Sequence, residues 1–268
     1  MDELMAQRIA KAEELRSAGI DPYPHRTTRT HTSAQINEMV LTLPEGVTEV
    51  DGVEADVAGR VDYESLRLID LGDFIGARGT PIRTRTGQPT VQAKSWTMLT
   101  KALHAPPEKY HGLTDPDARQ RRRYLDLMSN EETRKTFEIR SKAVAAIRRF
   151  LDARGFLEVE TPILQVSEGG AAAKPFVTHF NALDEDRVLR ISLELHLKRL
   201  VIGGFDKVYE IGRNFRNEGM SFKHNPEFTM IETYEAYADY HDVARMTEDM
   251  VSSVAREVLG TTVFTFRE

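Results

Sequence analysis

The chain has 268 residues, 40% of them hydrophobic and 29% charged, with a formal net charge of −6. That length suffices for about two domains with buried cores, and the acidic balance excludes a protein coated by nucleic acid while leaving room for local basic contacts. No cysteine occurs, which removes disulfides and thiolate metal sites and fits a reducing cytoplasm, and no apolar run of about 18 residues suggests a signal core or a membrane span.

Over residues 2–18, Leu4, Met5, Ile9, Ala12 and Leu15 recur at helical spacing, and Gly19 suits a left-handed cap. Arg8, Lys11 and Arg16 on this helix read first as a solvated face and second as a contact to RNA backbone. Residues 50–103 alternate short β-rich stretches (53–61, 73–78, 80–84 and 90–99) with Gly and Pro, the pattern of a small all-β module. Trp96 reads as core within it. A connector over 104–130 opens on Pro106-Pro107 and carries Arg119, Arg121, Arg122 and Arg123, which either approach nucleic acid or pair with acidic neighbours. Phe137, Ala143, Val144, Ile147, Phe150 and Leu151 then repeat with a helical period, Gly155 closes that helix, and a strand led by Phe156 follows.

Chemistry concentrates in Phe215-Arg216-Asn217-Glu218-Gly219 and His224-Asn225-Pro226-Glu227-Phe228, joined by a short spacer and flanked by strand-like sequence. Side chains alternate across an extended chain, so Arg216 and Glu218 share one side with Glu210, while Tyr209, Ile211 and Phe215 take the other. On the return arm Phe228, Met230, Glu232 and Tyr234 share a parity opposite to that of Thr229, Ile231 and Thr233. One face therefore gathers a guanidinium for phosphate, a ring for a base, and carboxylates with a phenol for an ammonium ion. Together they suit ATP and a cationic amino acid, although each residue taken singly reads equally as part of a solvated sheet face.

These two segments resemble motif 2 of the class II aminoacyl-tRNA synthetases, with details similar to the lysyl enzymes. Gly-Phe-Leu-Glu-Val-Glu-Thr-Pro over 155–162 resembles motif 1, Gly-Gly-Ala-Ala-Ala-Lys-Pro-Phe over 169–176 the amino-acid loop, and Leu-Glu-Leu-His-Leu-Lys-Arg-Leu over 193–200 the substrate-site helix. The likeness reaches back through Asp21-Pro-Tyr-Pro. Aspartyl and asparaginyl enzymes share motif 1 and the motif 2 arginine, but the small-residue loop and His224-Asn225-Pro226 favour the lysyl group.

The resemblance implies an α+β fold: an N-terminal helix over 1–22, an incomplete OB-fold β-barrel for the anticodon over 23–103, a linker over 104–130, and a truncated class II catalytic domain over 131–268, an antiparallel sheet flanked by helices. It implies ATP-dependent activation of lysine to lysyl-adenylate and transfer to tRNA(Lys) by a cytoplasmic homodimer that uses ATP and Mg2+. By the residue match, Arg216 is the catalytic arginine on the α-phosphate. Glu218, His224 and Asn225 surround ATP, and Phe228 stacks on adenine. Glu232 and Tyr234 take the lysine side chain, Gly170 and Glu194 its α-amino end, and Pro162 is the motif 1 proline of the dimer interface.

Two departures stand out. The family carries two further barrel strands between the counterparts of Val61 and Leu71, with the groups that read the anticodon, so no anticodon contact is assigned. Motif 3 is not among these 268 residues, and with it go a second arginine, the acidic Mg2+ ligands and another carboxylate for the lysine amine. No metal ligand is expected within the chain, which reads as a fragment, a truncated gene product, or a residue set with its gaps closed up; a protein truly lacking motif 3 should fail in activation. The alternatives are a noncatalytic synthetase-derived binding or regulatory module and a paralogue that attaches lysine to a protein, the second disfavoured by the N-terminal β-rich module.

Overall fold

In the computed structural model, which describes residues 2–44, 47–50, 64–107, 112–219, 221 and 223–265, the chain divides into two units, Met1–Glu131 and Glu132–Glu268. The first begins with α1 (Glu3–Ser17), whose first turn is capped by the Asp2 carboxylate accepting from the Leu4 amide. Gly19 follows its end at φ 76°, as its position required. Leu15 packs with Leu68, Trp96 and Met98, so Trp96 is core. α2 (Ser33–Leu41) starts in a Thr32/Gln35 capping box and buries Ile36 and Val40 against Val50 and Val91.

β1 (Phe74–Arg83) and β2 (Pro89–Thr100) form an antiparallel hairpin. The two strands expected over 73–78 and 80–84 are thus one. A bulge between Arg78 and Gly79 carries the chain through, and Gly79 is required there because a Cβ would lie 2.0 Å from the Gln92 carbonyl oxygen. The stretch expected over 53–61 lies outside the described residues. Among those described, the sheet of this unit has two strands and closes no barrel.

Among the α1 cations Arg16 lies on a solvated face as expected, whereas Arg8 does not. Arg8 is 5% exposed and donates to the carbonyls of Leu71, Ala102 and His104 at 3.0, 3.0 and 3.4 Å, so it is neither solvated nor turned to RNA. Lys11 pairs with Asp70 at 2.6 Å and Arg16 with Glu13. In the connector, Pro116 suits the first turn of α3 (Pro116–Arg121), and α4 (Arg123–Ser129) follows. Asp126 of α4, fully buried, holds Arg119 at 2.9 Å and Arg123 at 2.5 Å, while Arg121 pairs with Asp117 at 2.7 Å. Three of the four connector arginines therefore pair with acidic neighbours.

The second unit runs α5 (Glu131–Asp152), β3 (Leu157–Glu158), β4 (Leu164–Gln165), β5 (Val177–Phe180), β6 (Glu185–Leu189), α6 (Glu194–Ile202), β7 (Lys207–Phe215), β8 (Glu227–Glu235) and α7 (Tyr240–Leu259). Gly155 turns the chain out of α5 at φ 78°. β3 pairs parallel with β7, β7 antiparallel with β8, and a second sheet has the order β4-β6-β5. Tyr209, Ile211 and Ile231 pack against Phe150, Leu151 and Phe156, with Met246 and Met250 of α7. One side of the hairpin thus meets α5 and α7, while the other packs Val208 and Tyr234 against Leu193 and Leu197 at α6 and carries the polar residues beside them. Among the described residues no helix is long and apolar enough to cross a membrane.

Candidate active site

The β7–β8 register sets Val208 opposite Tyr234, Glu210 opposite Glu232, Gly212 opposite Met230 and Asn214 opposite Phe228. Opposed residues of an antiparallel pair share a face, so the collected face expected from parity forms. At its outer end the Arg216 amide donates to the Pro226 carbonyl at 2.9 Å. The Arg216 guanidinium sits 5.3 Å from the Phe228 ring centroid and donates to the Ile191 carbonyl at 3.4 Å. A cavity of about 210 Å3 opens there, lined by Arg216, Glu218, His224, Asn225 and Phe228 among others. His224 is steadied by Ser221, whose Oγ lies 2.8 Å from Nδ1.

The small-residue loop docks onto this hairpin through its backbone. The Asn217 amide donates to the Lys174 carbonyl at 2.7 Å, and the Lys174 amide to Glu218 Oε1 at 3.3 Å. Gly170, at φ 82°, lies against the start of α6, where a Cβ would come within 2.8 Å of Ser192 Oγ and 2.9 Å of Glu194 Cβ.

Deeper on the face, Glu232 Oε1 accepts from Ser192 Oγ at 2.9 Å and from the Leu193 amide at 3.1 Å, and its Oε2 accepts from the Tyr234 hydroxyl at 3.1 Å. A carboxylate at the start of α6 also lies where the helix dipole favours negative charge. Burial pushes the Tyr234 phenol well above its ordinary value, and the nearby charges of Glu232 and Glu194 add to that. Tyr234 therefore stays a neutral hydroxyl that can donate to Glu232 and accept from a ligand. Glu194 leans on Lys198 at 2.6 Å on the exposed side of α6.

Glu210, which shares the parity of the polar face, is not free to hold a ligand. It is 2% exposed and committed to Arg190 Nη1 and Thr161 Oγ1, both at 2.6 Å. Arg190, also 2% exposed, donates further to the Arg213 and Thr161 carbonyls at 2.8 and 3.0 Å. Gly212 makes room for it, since a Cβ there would meet Arg190 Nη2 at 2.2 Å. Arg190 and Ser192 escaped the sequence reading, for which the one signal is a charged residue inside the apolar run Val188-Leu189-Arg190-Ile191. Pro162, next to Thr161 in the chain, is exposed and lines a cavity of about 330 Å3 with Arg187, His196 and Arg199, separate from the one at Arg216 and Phe228. His196 is held below its ordinary value by burial and then by Arg199.

The face thus joins two neighbourhoods: a guanidinium beside an aromatic ring, and two carboxylates with a phenol. No group of three or more His, Cys, Asp or Glu among the described residues could hold a metal ion.

A family model described as tRNA synthetases class II (D, K and N) matches residues 115–267. A lysine–tRNA ligase of Pelotomaculum thermopropionicum is 48% identical over 288 residues, covering 98% of this chain and 57% of its own length. One from Bacillus cytotoxicus is 44% identical over 300 residues, covering 100% and 60%, and one from Dehalococcoides mccartyi 48% over 289, covering 96% and 58%. The chain spans somewhat under two thirds of the length of these relatives. The Bacillus alignment runs to 300 positions against a chain of 268 residues, so that relative carries residues inside the matched span with no counterpart here.

Proposed function

We infer that this chain, which belongs to the class II tRNA synthetases of the D, K and N group, binds lysine and ATP side by side and activates lysine for transfer to tRNA(Lys). The observation that carries the reading is the Glu232–Tyr234 pair, bonded at 3.1 Å, with the Glu194 charge acting on the same phenol, on the face that also presents Arg216 and Phe228. Lysine–tRNA ligase is also the name of the relatives that match nearly the whole chain.

The lysine carboxylate attacks the α-phosphate of ATP, forming a carboxyl–phosphate bond and expelling pyrophosphate. The protein forms no bond to either substrate, so catalysis comes from positioning and charge neutralisation. Arg216 meets the charge that builds on the α-phosphate oxygens. Phe228 offers a ring for adenine, and Glu218, His224 and Asn225 line the same cavity. Glu232 Oε2 and the Tyr234 oxygen take the side-chain ammonium, while Glu194 and the backbone at Gly170 take the α-amino end. A neutral apolar amino acid would still satisfy the α-amino acceptors but would desolvate the Glu232 carboxylate without bringing it an opposite charge.

Among the described residues no group of side chains could hold a magnesium ion, so no step runs through one. Pro162, with the exposed Ile163, Leu164 and Val166 beside it, is read as the surface of a homodimer. The β1–β2 hairpin is read as part of an OB-fold spanning 23–103, joined through 104–130 to a catalytic domain over 131–268, in a cytoplasmic enzyme.

The test is lysine-dependent exchange of labelled pyrophosphate into ATP by the complete gene product. Exchange that requires lysine is expected. Exchange that is absent, or equally fast without lysine, would contradict the reading.

A further inference from the structure

Ser192 stands between the helix that carries Glu194 and the strand that carries Glu232. It is 5% exposed, and its Oγ accepts from the Glu194 amide at 3.1 Å while donating to Glu232 Oε1 at 2.9 Å. A serine hydroxyl has one proton. With the Glu194 amide supplying the other bond, that proton is committed to Glu232. The Leu193 amide adds a second donor to the same oxygen at 3.1 Å, so protein groups on the α6 side occupy Oε1. Oε2, bonded among the described residues to the Tyr234 hydroxyl at 3.1 Å, keeps capacity for one more donor.

The site leaves the hydroxyl little choice. Gly170 approaches so closely that a Cβ on it would reach 2.8 Å from Ser192 Oγ and 3.1 Å from Ser192 Cβ. A glutamate on a strand otherwise has several rotamers, and fixing one costs entropy that a bonded neighbour offsets.

We propose that Ser192 is a positioning residue for amino-acid selection: it locks Glu232 so that Oε2 and the Tyr234 oxygen are the acceptors an incoming ammonium group meets. The proposal rests on the lysine reading above. It separates two jobs within one carboxylate, Oε1 anchoring the side chain to the start of α6 and Oε2 facing the ligand. Ser192 itself need touch no substrate.

The experiment is calorimetric titration of the complete gene product with L-lysine and, separately, with ATP, for the wild type, Ser192→Ala and Ser192→Thr. Ser192→Ala should weaken lysine about tenfold, the weight of one hydrogen bond to a charged group, and leave ATP within about twofold. Ser192→Thr keeps the hydroxyl and should recover most of the loss. Unchanged lysine affinity in Ser192→Ala overturns the proposal, and so does an equal loss for lysine and ATP, the mark of general damage to the fold. Should the alanine variant not fold, Ser192→Thr against the isosteric Ser192→Val makes the same comparison, and equal lysine affinities overturn it. A wild type that binds no lysine would instead overturn the lysine reading itself.

Discussion

The two units treat an ammonium group in opposite ways. In the first, Lys101 is 2% exposed, and its Nζ bonds Asp70 Oδ2 and Asp73 Oδ2, each at 2.6 Å, and the Leu68 carbonyl at 2.9 Å. Two carboxylates and one neutral oxygen, all from the fold itself, are what this protein uses to bury a lysine side chain. In the second unit Glu232 and Tyr234 offer a carboxylate and a neutral oxygen of the same kind, with the Glu194 carboxylate near the same phenol, on residues that are only half-buried. Among the described residues its bonded ammonium is that of Lys198, half exposed, on Glu194 alone. The first set is a finished ion cluster that ties α1 to the end of β2; the second, in the lysine reading proposed above, is similar chemistry that a guest would complete.

Lys101→Met should break the first set with the largest effect. It leaves the fully buried Asp73 carboxylate without its ammonium partner, while Asp70 keeps Lys11, and should destabilise the N-terminal unit by about 3–5 kcal/mol in urea unfolding. A loss below about 1 kcal/mol, the range of an exposed pair, would mean that the cluster is not what holds the unit. Arg216→Ala comes next, lowering lysine-dependent pyrophosphate exchange by about 10²–10³, or about 2.7–4 kcal/mol. Unchanged exchange would remove Arg216 from its role.

Glu232→Gln sharpens the comparison, because it keeps the shape and removes the charge. Lysine affinity should fall by about tenfold to a hundredfold with ATP affinity unchanged. Equal losses for both would show that Glu232 supports the fold rather than the ammonium. The smallest effect is in acid. Burial pushes the Asp70 carboxyl up, but the hydrogen bonds and charges of Lys101 and Lys11 outweigh it and hold the group below its ordinary value. A depressed folded value gives stability that is present above the unfolded carboxylate value and is lost as pH falls through the folded one. The urea midpoint of the N-terminal unit should therefore drop below about pH 4, and a midpoint flat to about pH 3 would contradict the pairing.

What the sequence made legible is what depends on local period. Parity along 209–234 placed Phe228, Glu232 and Tyr234 on one face and Tyr209, Ile211 and Ile231 on the other, since alternation survives any tertiary context. Gly19 and Gly155 marked helix ends because only their backbone conformation matters there. Hidden from such reading were pairings between residues far apart in the chain. Arg8 looked like a surface cation because the carbonyls it meets, at Leu71, Ala102 and His104, lie more than sixty positions away. Glu210 has the parity of a ligand, yet Arg190 and Thr161 claim it. Gly79 reads as a strand break, yet it lets one strand run on because its partner's carbonyl occupies the space of a side chain.

The most direct test of an open ammonium site on the β7–β8 face is the affinity of the complete gene product for L-lysine against L-norleucine, which has the same backbone and no side-chain ammonium. Lysine should bind at least about a hundredfold more tightly, because norleucine would desolvate the Glu232 carboxylate and bring no opposite charge to it. Equal affinity for the two would contradict it.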